Sequence, residues 1–291
     1  MLDIKKILLP VDYPNTSLSV IHQAAALAHH FHSEIVMLHA VTPRSHAAGV
    51  PEAGAGLASW DLLEEIIRRA QETQDQTLGP EVDGLTIRRV LAKGNPAQAI
   101  VQTAQREKAN LIMMPSYGFT FDQFLLSSLT PKVLGGSECP LWTCAHAEQS
   151  PPQNFVIRNV VCAVDFSSHV RNTVSWAKEM ADEFGASLTL ADVTASVEFW
   201  GPGGDYVNPK WKAALVSDAA QRLADLQREL GIKAGVFIGS GNVPEVLNQA
   251  AKQAKADLLV IGRRPYGVSL RTHAYAIIRS AQIPVLSVGG T

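Results

Sequence analysis

Cysteine is scarce in this sequence, which contains only Cys139, Cys144 and Cys162 among its 291 residues. An odd and sparse set of thiols is not the disulfide framework on which small secreted domains depend. We therefore expect a reducing compartment and predict a cytoplasmic location.

Long apolar runs and a strong charge of either sign are also missing. No apolar run approaches the roughly 18 residues that span a bilayer. The opening stretch MLDIKKILLPVDYP has too short an apolar core for a secretory signal, and we expect it to form a first strand. The formal net charge of −2 gives no bulk basicity for nucleic acid. We therefore expect neither a membrane nor a nucleic-acid partner.

Motifs for catalysis or metal binding are absent as well. The sequence has no Walker A motif, no Ser-His-Asp order and no paired-carboxylate motif. The histidines of HHFH, at 29–32, lack the i, i+4 spacing of a helical metal pair. Cys139 and Cys144 lie five residues apart, which places them on opposite faces of a strand. The sequence therefore predicts no enzyme and no metal site.

The chain repeats one plan twice. KKILLPVDYPNTS at 5–17 resembles RNVVCAVDFSSHV at 158–170, and the helical apolar stripes that follow match at the same offset, as Phe31 and Phe184 do. Farther on, SEIVMLHAVTP parallels ASLTLADVTAS, and EKANLIMMP parallels AKADLLVIG. Two homologous domains follow from this repeat, and we predict them at 1–147 and 155–291.

Each copy alternates five strands with four helices. Near-continuous apolar strands are typical of a parallel sheet that helices cover on both faces, so we predict two doubly wound α/β domains with right-handed crossovers. The strands are expected near 5–11, 34–41, 85–92, 110–114 and 140–145, and near 158–164, 187–193, 233–238, 257–261 and 283–288. The segments 42–59 and 197–211 contain glycine and proline, which disfavours regular structure there.

Candidate ligand residues follow from this topology. Ligands of an open α/β sheet bind beyond the carboxyl ends of the strands, at the switch point in strand order. The turns after the third strands, 94–96 and 241–244, and the loops after the fourth strands reach the same edge. The strand-end candidates are Pro10, Asp12, Val41 and Met114 in the first copy and Asp165, Val193 and Gly262 in the second.

Both halves contain the same three features in the same order. These are a first strand that ends in Asp12 or Asp165, a Gly-x-Pro-like turn after the third strand, and a final strand that begins like Pro-Val. In these features the chain resembles the universal stress protein family. The resemblance covers nearly the whole chain, which is therefore identified as a tandem member. It implies two adenine nucleotide alpha hydrolase-like domains with strand order 3-2-1-4-5. It also implies that the domains pair through their final strands, and it allows a homodimer.

The family's ATP-binding members carry Gly-x2-Gly-x9-Gly-(Ser/Thr) after the fourth strand. Glycine lets the backbone approach the phosphates, and N–H groups of the loop and of the next helix donate to them. In the first copy Pro115 takes the first glycine place and Gly118 the second. Ser127 and Ser128 take the third glycine and hydroxyl places, and Leu129, which ends this loop, is a further candidate ligand residue. The resemblance implies that ATP or AMP, if bound, occupies the first domain.

The second copy departs further from that pattern. Gly262 holds the first glycine place, but Pro265 takes the second, and Arg271 and Thr272 take the last two. Only five residues separate Pro265 from Arg271, so the loop is too short to wrap a triphosphate as the family's loop does.

Charged residues near these loops have two interpretations each. Arg263, Arg264 and Arg271 could converge on a phosphate or sulfate beside the helix start, or they could be solvated surface residues. Asp12 and Asp165 could hold the adenosine end of a nucleotide, as in the family, or they could close the turn after the first strand.

The sequence favours a non-enzymatic, cytoplasmic stress-response protein that acts by binding and carries degenerate nucleotide loops. One alternative is an adenine-nucleotide-binding member, including a slow ATPase, that uses its first domain. A second alternative is a carrier whose pocket has shifted to an apolar or anionic small molecule.

Overall fold

The computed structural model describes residues 2–12, 17–41, 65, 68–69, 72, 82–116, 129–144, 155–194, 199–201, 204–206, 209–263 and 273–289. The chain divides into two compact units. The first unit comprises Ile4–Gly136 with Ala147–Pro151, and the second comprises Pro152–Thr291 with Ser137–His146 and Met1–Asp3.

The first unit contains a parallel sheet in the order β3-β2-β1-β4. Its elements are β1 (Lys6–Val11), α1 (Leu18–Phe31), β2 (Glu34–Val41), β3 (Ile87–Lys93), α2 (Pro96–Glu107), β4 (Leu111–Pro115) and α3 (Leu129–Gly136). The strand β4 is buried along its whole length, and α1 and α2 both pack on β1. The apolar runs of the sequence are therefore the core of this unit.

The second unit repeats the plan and completes it. Its elements are β5 (Leu141–Cys144), β6 (Asn159–Val164), α4 (Val170–Phe184), β7 (Ser187–Thr194), β8 (Phe199–Gly201), β9 (Gly204–Tyr206), α5 (Pro209–Leu230), β10 (Gly235–Ser240), α6 (Val243–Ala254), β11 (Leu258–Arg263), α7 (His273–Ser280) and β12 (Val285–Gly289). Its parallel strands follow the order β10-β7-β6-β11-β12. The predicted order 3-2-1-4-5 is confirmed here.

The strand β5, which ends the first sequence repeat, packs within the second unit. It runs antiparallel to β12, with Trp142 opposite Leu286, and Thr143 Oγ1 donates to the carbonyl of Val285 at 3.3 Å. Trp142 is completely buried, and its ring meets Phe155 edge-on at 6.0 Å between centroids. The compact unit therefore begins before the end of the predicted domain 1–147.

Equivalent polar side chains lie directly before the fourth strand of each repeat, Asn110 before β4 and Asp257 before β11. Asn110 Oδ1 accepts from the backbone N–H groups of residues 5–6 at 3.1 and 3.0 Å. Asp257 Oδ2 accepts from those of residues 158–159 at 2.8 and 2.9 Å. Each oxygen satisfies two backbone donors that would otherwise lack partners, so the sequence repeat is also a repeat of local hydrogen bonding.

The turns after the third strands cap the helices that follow. Gly94 and Gly241 adopt φ of 118° and 127°, which only glycine takes without strain. Asn95 Oδ1 then accepts from two backbone N–H groups of α2 at 3.0 and 3.3 Å, and Asn242 Oδ1 accepts from Glu245 N–H at 3.3 Å. These candidate ligand turns therefore have a structural role as helix N-caps.

The expectation that 197–211 lacks regular structure is wrong. Phe199 pairs antiparallel with Tyr206 in a short β8–β9 ladder, and α5 begins at Pro209. Aromatic residues favour strands, and here their preference outweighs that of the neighbouring glycines and proline. The segment 42–59 lies outside the described residues. None of the helices in the described ranges is long and apolar enough to cross a membrane.

Candidate functional site

A cavity of about 380 Å³ opens at the carboxyl ends of β6, β7 and β11 in the second unit. We call it the second cleft. Three of the predicted site residues line it, namely Asp165 after β6, Val193 in β7 and Gly262 in β11. The helices α5, α6 and α7 contribute the remaining walls. The topology thus brings these three predicted positions together at one edge of the sheet, as expected of an open α/β fold.

The first-repeat candidates are only partly described. Pro10 and Met114 are buried at the ends of β1 and β4, and Asp12 is buried directly after β1. Val41 ends β2 and Leu129 begins α3. Gly118, Ser127 and Ser128 lie outside the described residues, as do Arg271 and Thr272 of the second repeat.

Asp165 closes the turn after β6 and also lies in the wall of the second cleft. Its Oδ1 accepts from the backbone N–H of Ser167 at 3.0 Å, which closes the turn between β6 and α4. The helix N-cap is His169 rather than Asp165. Asp165 is exposed and also lines the second cleft, so a turn-closing role and a ligand role are compatible in this residue.

Phe166 forms part of the cleft wall in an uncommon backbone conformation. Its φ is 50°, in the left-handed region that bulky residues rarely adopt. The guanidinium carbon of Arg222 lies 3.8 Å from the centre of its ring. Arg222 Nη1 also lies 3.8 Å from Asp218 Oδ2. A stacked cation therefore lies between an aromatic ring and a carboxylate at the mouth of the cleft.

Asp192 is a buried cleft residue that was not predicted from the sequence. It lies in β7 with 8% of its surface exposed. Burial raises the pKa of its carboxyl group, and the nearby Asp165 and Asp218 act in the same direction. Arg222 and a hydrogen bond from the backbone N–H of Val193 oppose that shift. The second cleft thus contains a buried acid whose ionisation is disfavoured.

The repeat contains a signal that could have found Asp192. The equivalent position in the first repeat is His39, another polar residue within an apolar strand. His39 is also buried, and its Nδ1 lies 3.0 Å from the carbonyl oxygen of Val11. A polar side chain inside a buried strand needs a hydrogen-bond partner or a functional role. The polar residues at both positions therefore indicated a site at this end of the strand.

Replacing Asp192 by asparagine is expected to stabilise the protein at neutral pH. The folded-state pKa is raised above the unfolded value of about 3.9. Stability is therefore lost as the pH rises from that value through the folded pKa, and the loss persists above it. Asparagine has no such ionisation, so its advantage should be largest at pH 7 to 8 and should vanish below about pH 4.

Urea denaturation of both proteins across this pH range measures the difference. Asp225→Asn is the matched control, because Asp225 lies on α5 outside the second cleft and accepts from Arg228 at 2.8 Å. That variant should show no gain at neutral pH. An Asp192→Asn protein that is equally destabilised at every pH would contradict the expectation.

The position of Arg263 differs from both interpretations that the sequence suggested for it. It is 6% exposed, so its interpretation as a solvated surface residue is wrong. Its Nη2 donates to the carbonyl oxygen of Cys139 at 2.6 Å. Burial lowers the pKa of Arg263 to about 10, while Cys139 and Glu138 act in the opposite direction. Arg263 thus packs against the segment before β5 and is not among the residues that line the second cleft. Arg264 lies outside the described residues.

Comparison with known proteins decides the family. The model of the universal stress protein family matches residues 3–144 and, a second time, residues 157–289. The chain belongs to the universal stress protein family. The two matches also confirm that it is a tandem member, as the repeat predicted.

Two curated relatives match about half of the chain, and a solved structure matches nearly all of it. A universal stress protein of Methanocaldococcus jannaschii is 29% identical over 140 residues, which cover 47% of this chain and 79% of that protein. One of Methanothermobacter thermautotrophicus is 26% identical over 143 residues, covering 47% and 92%. The crystal structure of a universal stress protein from Archaeoglobus fulgidus matches with a TM-score of 0.71 at 20% identity, covering 98% of both chains. At that identity the structure shows a shared fold.

Proposed function

We propose that this universal stress protein acts by binding a small molecule in its second cleft, without catalysing a reaction. The observation that carries the proposal is the place of the cleft. It lies beyond the carboxyl ends of three parallel strands, where ligands of open α/β sheets bind. Its volume of about 380 Å³ is within the range of roughly 300–1,000 Å³ that is typical of ligand pockets.

The composition of the walls supports binding. Apolar side chains from four elements, among them Leu215, Leu247, Ile261 and Ile277, surround a few polar groups. Ligand pockets typically combine such apolar walls with a small number of polar groups that fix the ligand's orientation. Most of the polar groups here come from β7 and α5, which are regular elements of the fold rather than loops.

A binding role without chemistry is consistent with the lining. Among the described lining residues, Thr194 is the one that carries a hydroxyl. That hydroxyl donates to the carbonyl of Gly239 at 3.1 Å, which ties β7 to β10. Thr194 therefore has a structural hydrogen bond, whereas an activated nucleophile donates to a general base.

Adenine-nucleotide binding in the first repeat is a second candidate. Asp12 is buried directly after β1, with Pro10 and Met114 at neighbouring strand ends, and the family resemblance implies that this Asp holds the adenosine end of a nucleotide. The cytoplasmic location and a homodimer remain predictions from the sequence. Titration with ATP, described below, separates the two repeats.

Filling the second cleft should abolish ligand binding. Leu215 is half-buried in the lining, so Leu215→Trp should place an indole inside the cavity. Native mass spectrometry of purified full-length protein, followed by a thermal-shift screen of amines, amidines, carboxylic acids and nucleotides, would identify ligands. We expect those ligands to lose at least about 100-fold in affinity, or about 2.7 kcal/mol, in the variant.

The matched control is Val216→Trp, at the next position of α5. Val216 is exposed and does not line the second cleft, so this variant should bind as the unaltered protein does. Ligands that bind Leu215→Trp with unchanged affinity would place the binding site elsewhere and would contradict the proposal.

A further inference from the structure

We propose that the second cleft selects a small organic cation, an amine or an amidine, over nucleotides and other anions. This inference names the ligand class of the proposed binding site and so rests on the proposed function. It departs from the nucleotide that the loop resemblance suggests, and it is carried by the charge, the aromatic surface and the apolar walls of the cleft.

Among the described residues that line the second cleft, acidic side chains outnumber basic ones. The acidic residues are Asp165, Asp192 and Asp218, and the basic groups are the guanidinium of Arg222 and the imidazole of His273. Asp192 lies deep in the lining, while Asp165 and Asp218 are exposed nearer the rim. A concave site in which one sign of charge predominates concentrates ligands of the opposite sign, and a cation bound nearby favours the ionised form of Asp192, so this cleft attracts cations at the end formed by β7 and α5.

The protein's own guanidinium shows how a cation fits beside this surface. The Arg222 guanidinium stacks on the ring of Phe166 at 3.8 Å and lies 3.8 Å from a carboxylate oxygen of Asp218. A planar, delocalised cation is thus accommodated between an aromatic face and a carboxylate. Aromatic faces combined with carboxylates are the groups that recognise ammonium and guanidinium ions.

The conformation of Phe166 fixes that aromatic surface. A left-handed φ of 50° in a phenylalanine costs free energy. Such a conformation persists only when the surrounding structure supports it, and here Arg222 stacks on the ring and Asp165 closes the turn that contains Phe166. The ring is therefore a fixed wall of the cleft.

The remaining walls favour an organic cation over a metal ion. Leu247, Ile261 and Ile277 line the interior, and they suit the hydrocarbon body of a ligand rather than a hydrated ion. Within the described residues, no group of three or more His, Cys, Asp or Glu side chains is arranged to hold a metal. A ligand with a cationic nitrogen on a small apolar or aromatic frame matches both the carboxylates and the apolar walls.

A series of three probes with one shape separates charge from fit. Benzamidine, benzamide and benzoate carry charges of +1, 0 and −1 on nearly the same frame. Calorimetric titration of the full chain at neutral pH should show that benzamidine binds about ten-fold or more tightly than benzamide, since a hydrogen bond to a charged group is the stronger kind. Benzoate should show no binding in the second cleft.

Two single variants test the named carboxylates. Asp192→Asn and Asp218→Asn should each lower the preference for benzamidine over benzamide by about ten-fold. Asp218 is exposed on α5, so its replacement leaves the fold intact. Asp225→Asn, on the same helix but outside the cleft, should leave the preference unchanged.

The outcomes distinguish this inference from the proposed function. Benzamide or benzoate binding as tightly as benzamidine, in a manner that Leu215→Trp abolishes, would overturn the cation preference and keep the cleft as a binding site. Benzamidine binding that survives Leu215→Trp, or no benzamidine binding at millimolar concentration, would overturn the inference. A complete failure of the ligand screen in addition would overturn the proposed function.

Discussion

Replacing Trp142 by alanine is expected to lower the free energy of unfolding by about 3–5 kcal/mol. Trp142 is completely buried in β5, opposite Leu286 of β12, and its ring contacts Phe155. Removing the indole would lose the free energy gained by its burial away from water, and it would also leave a large, destabilising cavity. An effect of this size tests the finding that β5 is part of the core of the second unit.

Guanidinium denaturation followed by far-ultraviolet circular dichroism measures the effect. Trp211→Ala is the matched control, because Trp211 is 55% exposed on α5, and it should lose less than about 1 kcal/mol. Loss of similar, small amounts in both variants would show that β5 contributes little to the second unit.

The same packing bears on how the second repeat should be studied. A fragment of residues 155–291 lacks β5 and would leave β12 without its antiparallel partner. Exposed strand edges pair with other chains and promote aggregation. Binding experiments on the second cleft are therefore best made on the full chain.

ATP is expected to bind the second cleft no more tightly than millimolar, which is about −4 kcal/mol. The five residues between Pro265 and Arg271 are too few for the family's phosphate loop. Each buried donor or acceptor left unpaired costs about 1–3 kcal/mol, whereas a well-placed arginine contributes on the order of 1.5–3 kcal/mol. Several unpaired groups outweigh one such contact, and the exposed carboxylates of Asp165 and Asp218 add repulsion.

Titration of the full chain with magnesium and labelled ATP tests this expectation. Ser127→Arg should remove any binding by the first repeat, so that the remaining affinity reports on the second. We expect Asp192→Asn combined with Asp218→Asn to leave ATP binding weak, because loop length is the dominant effect. Micromolar affinity in Ser127→Arg that Leu215→Trp abolishes would contradict the expectation.

The strands and their order could be predicted from the sequence because both depend on simple patterns. A buried parallel strand is a continuous apolar run, and 158–164 as predicted differs from Asn159–Val164 as found by one residue. Alternation of strands with helices then restricts the topology, because parallel strands need crossovers of one hand. Because the chain contains the same plan twice, each strand assigned in one repeat could be compared with its equivalent in the other.

The charge of the second cleft could not be predicted in the same way. In the sequence, Asp192 is a single polar residue within an apolar strand. The pattern around Asp218 and Arg222 indicates only charged residues on the surface of a helix. Their chemistry depends on how α5 is rotated against the strand ends, which periodicity does not determine. Arg263 is a similar case, because its hydrogen bond to Cys139 joins residues 124 positions apart.

A crystal structure of the full chain with benzamidine would test the proposed ligand class most directly. We expect the amidinium within hydrogen-bonding distance of the carboxylate of Asp192 or Asp218, with the ring against Ile261 and Ile277. Benzamidine found only outside the second cleft, or an anion bound between these carboxylates, would contradict the proposal that this tandem universal stress protein binds small cations.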